Sequence, residues 1–253
     1  MTDDSEARMR ISPDESITIK DIELRFWSGA DRPPRSNDTV IFMHKDRPFV
    51  SRLDAVLEEV RPRRMVEVGI LDGGSTIYWH YKHQLDCLIA FELAADAPHL
   101  RNYLERHQLT AVVHPYFGVS QADAPALRTG VLNHTPGGHV DAVIDDASHQ
   151  HSETRATVET LLPFVRPGGV YIIEDWAWGH DAKWPADVWA DRPLLSPLLV
   201  ELTLICGHAT GIIKKIEIDP NFVVLWRGKT PLRQDGEFKL TDHYLARGFS
   251  TAL

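Results

Sequence analysis

Val140-Asp141-Ala142-Val143-Ile144-Asp145-Asp146-Ala147-Ser148-His149 is followed, after a helical stretch and the breaker Pro167-Gly168-Gly169, by Val170-Tyr171-Ile172-Ile173-Glu174-Asp175. Both apolar runs are short and nearly continuous, the pattern of strands buried on both faces of a parallel sheet. Each ends in a pair of acidic residues, and open α/β sheets hold their ligands at the carboxyl edge of the strands. Two acidic pairs and a histidine delivered to one such edge suggest a metal with a base beside it.

Working outward, the same alternation continues in both directions. Val50, Leu53, Val56, Leu57 and Val60 recur at helical spacing and stop near Pro62; Met65–Val68 reads as a first buried strand, Leu88–Glu92 as a second and Ala111–Val113 as a third. Residues 140–146 make the fourth, a helix from Ser152 to Val165 follows, and Val170–Ile173 makes the fifth. Lys214–Ile218 and Phe222–Trp226 flank the turn signal Asp219-Pro220-Asn221 and predict a closing β-hairpin. Strand and helix in alternation predict an α/β fold with a mostly parallel sheet and right-handed crossovers.

Other segments attach to this core. Ile17–Trp27 alternates as extended chain, residues 29–37 form a Gly/Pro/Asn-rich connection, and His44-Lys45-Asp46-Arg47-Pro48 reads as a solvated loop of mixed charge, with contact to the substrate as the alternative. Residues 176–197 carry Trp176, Trp178, Trp184 and Trp189 among prolines and read as an insertion over the sheet edge, where indoles either seal a core or offer a platform to a sugar ring. The expected division is 1–62 as an N-terminal lid or acceptor-side segment, 63–230 as the core, and 231–253 as a polar surface tail.

Composition narrows the function. A chain of 253 residues with 43% hydrophobic and 25% charged residues suits one large globular domain. The net charge of -9, with no basic stripe, disfavours nucleic acid as a partner. No apolar run approaches the roughly 20 residues of a membrane span, and the acidic start Met1-Thr2-Asp3-Asp4 is unlike a secretion signal, so cytoplasmic residence is expected. Cys87 and Cys206 are read as two reduced core thiols.

Glu67-x-Gly69-x-x-x-Gly73-Gly74-Ser75 lies between a strand and a helix, where glycine permits close backbone approach. It is not the dinucleotide pattern, and Glu67 and Asp72 would repel a phosphate but suit the amino group or sulfonium of S-adenosylmethionine. Glu92, at the end of the second strand, is placed to take both ribose hydroxyls. Together these resemble the class I S-adenosylmethionine-dependent methyltransferases, which implies a Rossmann-like fold with a seven-stranded sheet and a cofactor site at Glu67, Gly69, Asp72, Ser75, Glu92 and Asp145.

Asp146, Glu174 and Asp175 are hard oxygen donors that suit magnesium. His149 stands three residues beyond Asp146 and is the candidate general base, with His151 as its rival. Asp145-Asp146-Ala147-Ser148-His149 with Glu174-Asp175 resembles the metal-dependent sugar O-methyltransferases of the macrocin and mycinamicin type, the related cephalosporin hydroxylase-like proteins and the mycobacterial mannoside methyltransferases. Their pattern has glycine where this chain has Ala147. The resemblance implies Asp146, Glu174 and Asp175 as ligands of Mg2+, His149 as base, and methyl transfer to a sugar hydroxyl of a natural product, oligosaccharide or polysaccharide precursor. The alternatives are a catechol or phenol O-methyltransferase, a non-catalytic S-adenosylmethionine-binding partner and an NAD-linked oxidoreductase. A homo-oligomer stays open.

Overall fold

A computed structural model describes residues 10–11, 16–28, 34–182, 193–208, 211–245 and 247. The N-terminal part folds into a small sheet, β1 (Arg10–Ile11), β2 (Ser16–Ile19), β3 (Ile22–Phe26) and β4 (Val40–Met43), in the order β1-β2-β3-β4. Alternation in residues 16–26 thus makes a hairpin, turned at Lys20 with φ 54°, and β4 joins its far edge in parallel. Helix α1 (Arg47–Val60) follows, its first turn capped by the Asp46 carboxylate, which accepts from the Phe49 N–H.

The main sheet contains β5 (Arg64–Val68), β6 (Cys87–Glu92), β7 (Val113–Phe117), β8 (Val140–Asp145), β9 (Val165–Glu174), β10 (Ile213–Ile218) and β11 (Phe222–Arg227). Their spatial order is β10-β11-β9-β8-β5-β6-β7. Pairing is parallel from β7 through β9; β11 runs antiparallel to both of its neighbours, as the hairpin signal requires. The chain winds outward from β5 to β7 and then returns to β8 on the other side of β5. A cleft therefore opens beyond the carboxyl ends of β5 and β8, the switch point at which such sheets take ligands.

Helices α2 (Gly74–His83), α3 (Pro98–Arg106), α4 (Ala124–His134), α5 (His151–Leu161) and α6 (Ser196–His208) cover the sheet. Strand pleating sorts the apolar residues between two layers. Leu88 and Ala90 pack with Leu53 of α1, Trp79 of α2, Tyr103 of α3 and the N-terminal sheet; Ile89 and Phe91 pack with Leu127 of α4, Val158 of α5 and Leu202 of α6. Cys87 is buried, and both cysteines are free thiols.

Several expectations shift. The third strand lies at Val113–Phe117, where Pro115 is tolerated because β7 is an edge. Pro167-Gly168-Gly169 does not precede the fifth strand but lies within it: β9 advances five residues, from Val165 to Val170, while β8 advances two, from Val140 to Ala142. Helix α6 is apolar nearly all round, so it lacks the amphipathic stripe that marks a surface helix. The tail is not merely surface, because Phe238, Leu240 and Tyr244 are buried in the second layer. Among the described residues no helix is long and apolar enough to cross a membrane. Trp184 and Trp189 lie outside the described residues.

Candidate active site

A cleft of about 1040 Å³ opens at the switch point, walled by the ends of β5, β6, β8 and β9 and by the β4–α1 connection. Gly69, Glu92, Asp146, His149 and Asp175 line it. Gly69, Asp146 and Asp175 are each the first residue beyond a strand, where the pleat no longer commits the side chain to a helical layer. The Asp146 N–H donates to the Val68 carbonyl at 2.8 Å, and the Asp175 N–H donates to the Asn221 carbonyl at 2.6 Å, so both turns are held by neighbouring backbone.

His149 and Asp175 both adopt left-handed backbone, with φ 55° and 53°. That conformation is uncommon for a residue with a side chain and recurs where function dictates the direction of that side chain. The His149 Nε2 lies 3.8 Å from Asp146 Oδ1 and 3.9 Å from Asp175 Oδ2, and its ring meets Trp178 edge to face at 5.4 Å. One potential ligand atom from each of Asp146, His149 and Asp175 falls within 4.8 Å of the others.

The remaining sequence candidates occupy other surroundings. Glu67, the fourth residue of β5, is fully buried beneath the glycine turn, where it accepts from Thr76 Oγ1 at 2.6 Å and Trp79 Nε1 at 3.1 Å. Burial raises its pKa against the opposing hydrogen bonds of Thr76 and Ser75. Ser75 is buried in the first turn of α2. Asp72 is half-buried and accepts from Ser36 Oγ at 2.6 Å. Asp145, the last residue of β8, enters the second layer and accepts from Tyr171 Oη at 2.8 Å and Gln121 Nε2 at 3.3 Å. Burial, reinforced by the Asp146 charge and opposed by the Tyr171 hydrogen bond, pushes its pKa up to about 7. The rival base His151 is half-buried, its Nε2 3.8 Å from the buried Glu201, and it does not line the cleft.

Glu92 combines two duties. One carboxylate oxygen accepts from the Ile70 and Leu71 N–H groups at 3.0 and 2.9 Å, and the other from the Ala94 N–H at 2.8 Å. The oxygen that faces Ala94 has a second lone pair, which leaves capacity for a hydroxyl donor from the cleft. Gly69 has a reason of its own: at φ 84°, a Cβ there would meet the Asp146 carbonyl oxygen at 2.2 Å. Glycine thus lets the β5 turn press against the turn that carries Asp146.

Two residues that sequence reasoning did not single out complete the site. Lys45 belongs to the run read as a solvated loop, yet it is 4% exposed and its Nζ lies 2.5 Å from both Asp146 Oδ2 and Glu174 Oε2. Burial alone would lower the pKa of that ammonium, but the two carboxylates outweigh it and hold it protonated. The available signal was position, since Lys45 follows the apolar run of β4 as the acids follow theirs. Gln121 accepts the Ser148 N–H at 2.7 Å while donating to Asp145 and Thr157, which fixes the loop leading to His149.

Residues 66–176 match a family model described as a methyltransferase domain. The matched segment runs from within β5 to just past β9 and contains the acidic turns, Glu92 and His149. The chain is 31% identical over 150 residues to demethylmacrocin O-methyltransferase of Streptomyces fradiae, covering 56% of this chain and 32% of that protein. Mycinamicin VI 2''-O-methyltransferase of Micromonospora griseorubida is 49% identical over 49 residues, covering 19% and 11% of the two chains. The chain therefore spans about a third or less of these curated relatives in the matched regions. A methyltransferase from the mycinamycin biosynthetic pathway, solved with Mg, SAH and mycinamycin VI, superposes with a TM-score of 0.55 at 22% identity, over 74% of this chain and 50% of that one. The two chains share the α/β architecture with its mostly parallel seven-stranded sheet over that region.

The donor set suits a hard divalent cation. Asp146 and Glu174 hold one ammonium between them, Asp175 lies within reach of its charge, and Glu174 Oε1 is buried without a hydrogen-bond partner among the described residues. The Glu174 pKa is driven well up, first by burial and then by the Asp146 charge, and that of Asp175 rises for the same two reasons. Additional positive charge would relieve both.

Proposed function

We propose that the chain is an S-adenosylmethionine- and Mg2+-dependent O-methyltransferase that methylates a sugar hydroxyl. The observation that carries this reading is the convergence of Asp146, His149 and Asp175 within 4.8 Å in the cleft that Glu92 also lines. The acceptor is a small glycosylated natural product or an oligosaccharide precursor, in keeping with the acceptors named for the macrocin and mycinamicin relatives. Asp146, Asp175 and Glu174 are the assigned ion ligands. Glu92 and the turn at Gly69 are assigned to the cofactor; Glu67, Asp72, Ser75 and Asp145 support that side of the cleft from beneath and behind it.

S-adenosylmethionine supplies an electrophilic methyl group on a sulfonium, and a divalent ion increases the acidity of a hydroxyl placed against it. His149 accepts the hydroxyl proton as the C–O bond forms, and the electron pair of the breaking C–S bond stays on sulfur. Trp178 sets the imidazole plane edge to face, and Gln121 braces the preceding loop at Ser148. Residues 1–62 are assigned to the acceptor side, from which Trp27, Ser28, His44 and Phe49 reach the cleft. Trp178 beside His149 provides the aromatic face against which the C–H edge of a sugar packs.

Methyl transfer from labelled S-adenosylmethionine to a panel of sugars, glycosides and catechols tests the reading. Turnover of a glycoside is expected to be lost with EDTA and restored by Mg2+. His149→Ala is expected to lower turnover by about 10²–10⁴-fold while binding S-adenosylhomocysteine as the parent does. Turnover undiminished by either treatment would show the assignment of ion and base to be wrong, and turnover confined to catechols would replace the acceptor class.

A further inference from the structure

We propose that Lys45 is a resident cation of the acidic site, which must leave Asp146 and Glu174 before a divalent ion can take both. Ion loading is thereby coupled to the β4–α1 connection. The inference rests on the reading of Asp146, Glu174 and Asp175 as ion ligands.

The ammonium occupies the acids as an ion would, at 2.5 Å from one oxygen of each. Lys45 and Glu174 are 4% and 1% exposed, so water screens this contact very little. A divalent ion bound to the same oxygens would stand against the ammonium in a low-dielectric pocket, and the two cations would repel strongly. The present occupant is also incomplete. Glu174 Oε1 has no partner among the described residues, although it is buried beside a donor-bearing group. A compact ammonium engages one oxygen of each acid and leaves this one bare.

The side chain has somewhere to go. Lys45 Nζ already stands 5.5 Å from the centroid of the Phe49 ring, one turn into α1, and both residues line the cleft. Swinging outward keeps the ammonium against an aromatic face while surrendering the acids. In the ion-free protein Lys45 offsets carboxylates that would otherwise repel one another, so the ligands stay gathered. With the ion bound, the same ammonium turns toward the side of the cleft assigned to the acceptor, and loading at the core is registered in the N-terminal segment.

Acetylation of the full chain with acetic anhydride, read by mass spectrometry at each lysine, tests this without any turnover. Lys45 is expected to be protected in ion-free protein and to label about tenfold faster at saturating Mg2+, with Lys82 and Lys239 unchanged as internal references. In parallel, Mn2+ titration followed by electron paramagnetic resonance is expected to show Lys45→Met binding the ion about tenfold more tightly than the parent. Mn2+ binding with Lys45 still protected, or a Lys45→Met variant that binds no more tightly, would overturn the inference and leave the ligand assignment standing. That outcome would mean that the ion is held by Asp175 and by Asp146 Oδ1 and Glu174 Oε1, the oxygens that Lys45 does not engage. Should Lys45→Met fail to fold, the acetylation result on the parent protein decides alone. If neither protein binds Mn2+, the ligand assignment falls and this inference falls with it.

Discussion

Gly69 shows how much a single residue carries at this site. Its left-handed backbone is already costly for any side chain, and a methyl group would collide with the Asp146 carbonyl, which is backbone and cannot swing away. Gly69→Ala is expected to destabilise the protein by about 2 kcal/mol or more, read from the midpoint of urea unfolding. It should also weaken Mn2+ binding, because the Asp146 turn must move; an alanine variant with parental stability and ion affinity would show that the turn yields freely. This requirement was half legible in the sequence. The glycine and its context announce a close approach, but the partner in that approach is a turn 77 positions away. The acids divide in the same manner. Asp146 and Asp175 stand one residue past their strands and face the cleft, whereas Asp145 and Glu174 still obey the pleat and are buried. A one-residue offset of a strand end lies below what an apolar pattern can specify.

Among the elements, β8 is anchored at its amino end by Asp141. One carboxylate oxygen accepts from the Arg63 and Arg64 N–H groups at 2.7 and 2.8 Å, and the other from Arg166 Nε, which ties β5 and β9 to the strand between them. Burial opposes ionisation here, but the Arg166 hydrogen bond and the two backbone donors outweigh it and hold the Asp141 carboxyl below its ordinary range. The sign follows from linkage. A folded-state pKa below the unfolded one gives stability that is full above about pH 4 and drains away as the pH falls through the folded value. Asp141→Asn is therefore expected to cost about 1–3 kcal/mol near neutral pH, and the gap from the parent should shrink in acid. Urea unfolding across that pH range measures it, and a gap independent of pH would mean that the charge contributes nothing. Arg166 also explains why the sequence misplaced the start of β9. Pro167-Gly168-Gly169 carries a breaker signature, but Val165 pairs with Val140 ahead of it, and pairing resumes at Val170 after the irregularity. Long-range pairing of this kind overrides local turn chemistry.

For the molecule as a whole, the N-terminal sheet and the segment from Phe238 to Tyr244 close opposite faces of the main sheet. Ile17, Ile19 and Leu24 of the N-terminal sheet join the layer of Trp79 and Leu88, while Phe238, Leu240 and Tyr244 join the layer of Ile89 and Leu202. The parallel sheet was accessible from the alternation of apolar runs, because burial on both faces leaves a strong pattern, whereas its strand order depends on pairings that the runs do not specify. The closure by the C-terminal segment was not, since three apolar residues dispersed among polar ones carry no period. Their contribution is nevertheless that of core residues. Leu240 is fully buried, its N–H donates to Glu159 Oε1 at 3.0 Å, and the adjoining Lys239 Nζ lies 3.0 Å from the other oxygen of the same carboxylate. This clasp joins the segment to α5, the helix that begins two residues after His149. Leu240→Ala removes the apolar contact but preserves both polar bonds, so its cost reports the packing alone, about 2–5 kcal/mol. A surface tail would lose only a few tenths of that, and the unfolding midpoint of the variant separates the two. Hydrogen exchange should rise along α5 in the same variant, because the two bonds that Glu159 makes to the segment then lack the apolar contact of Leu240 beside them.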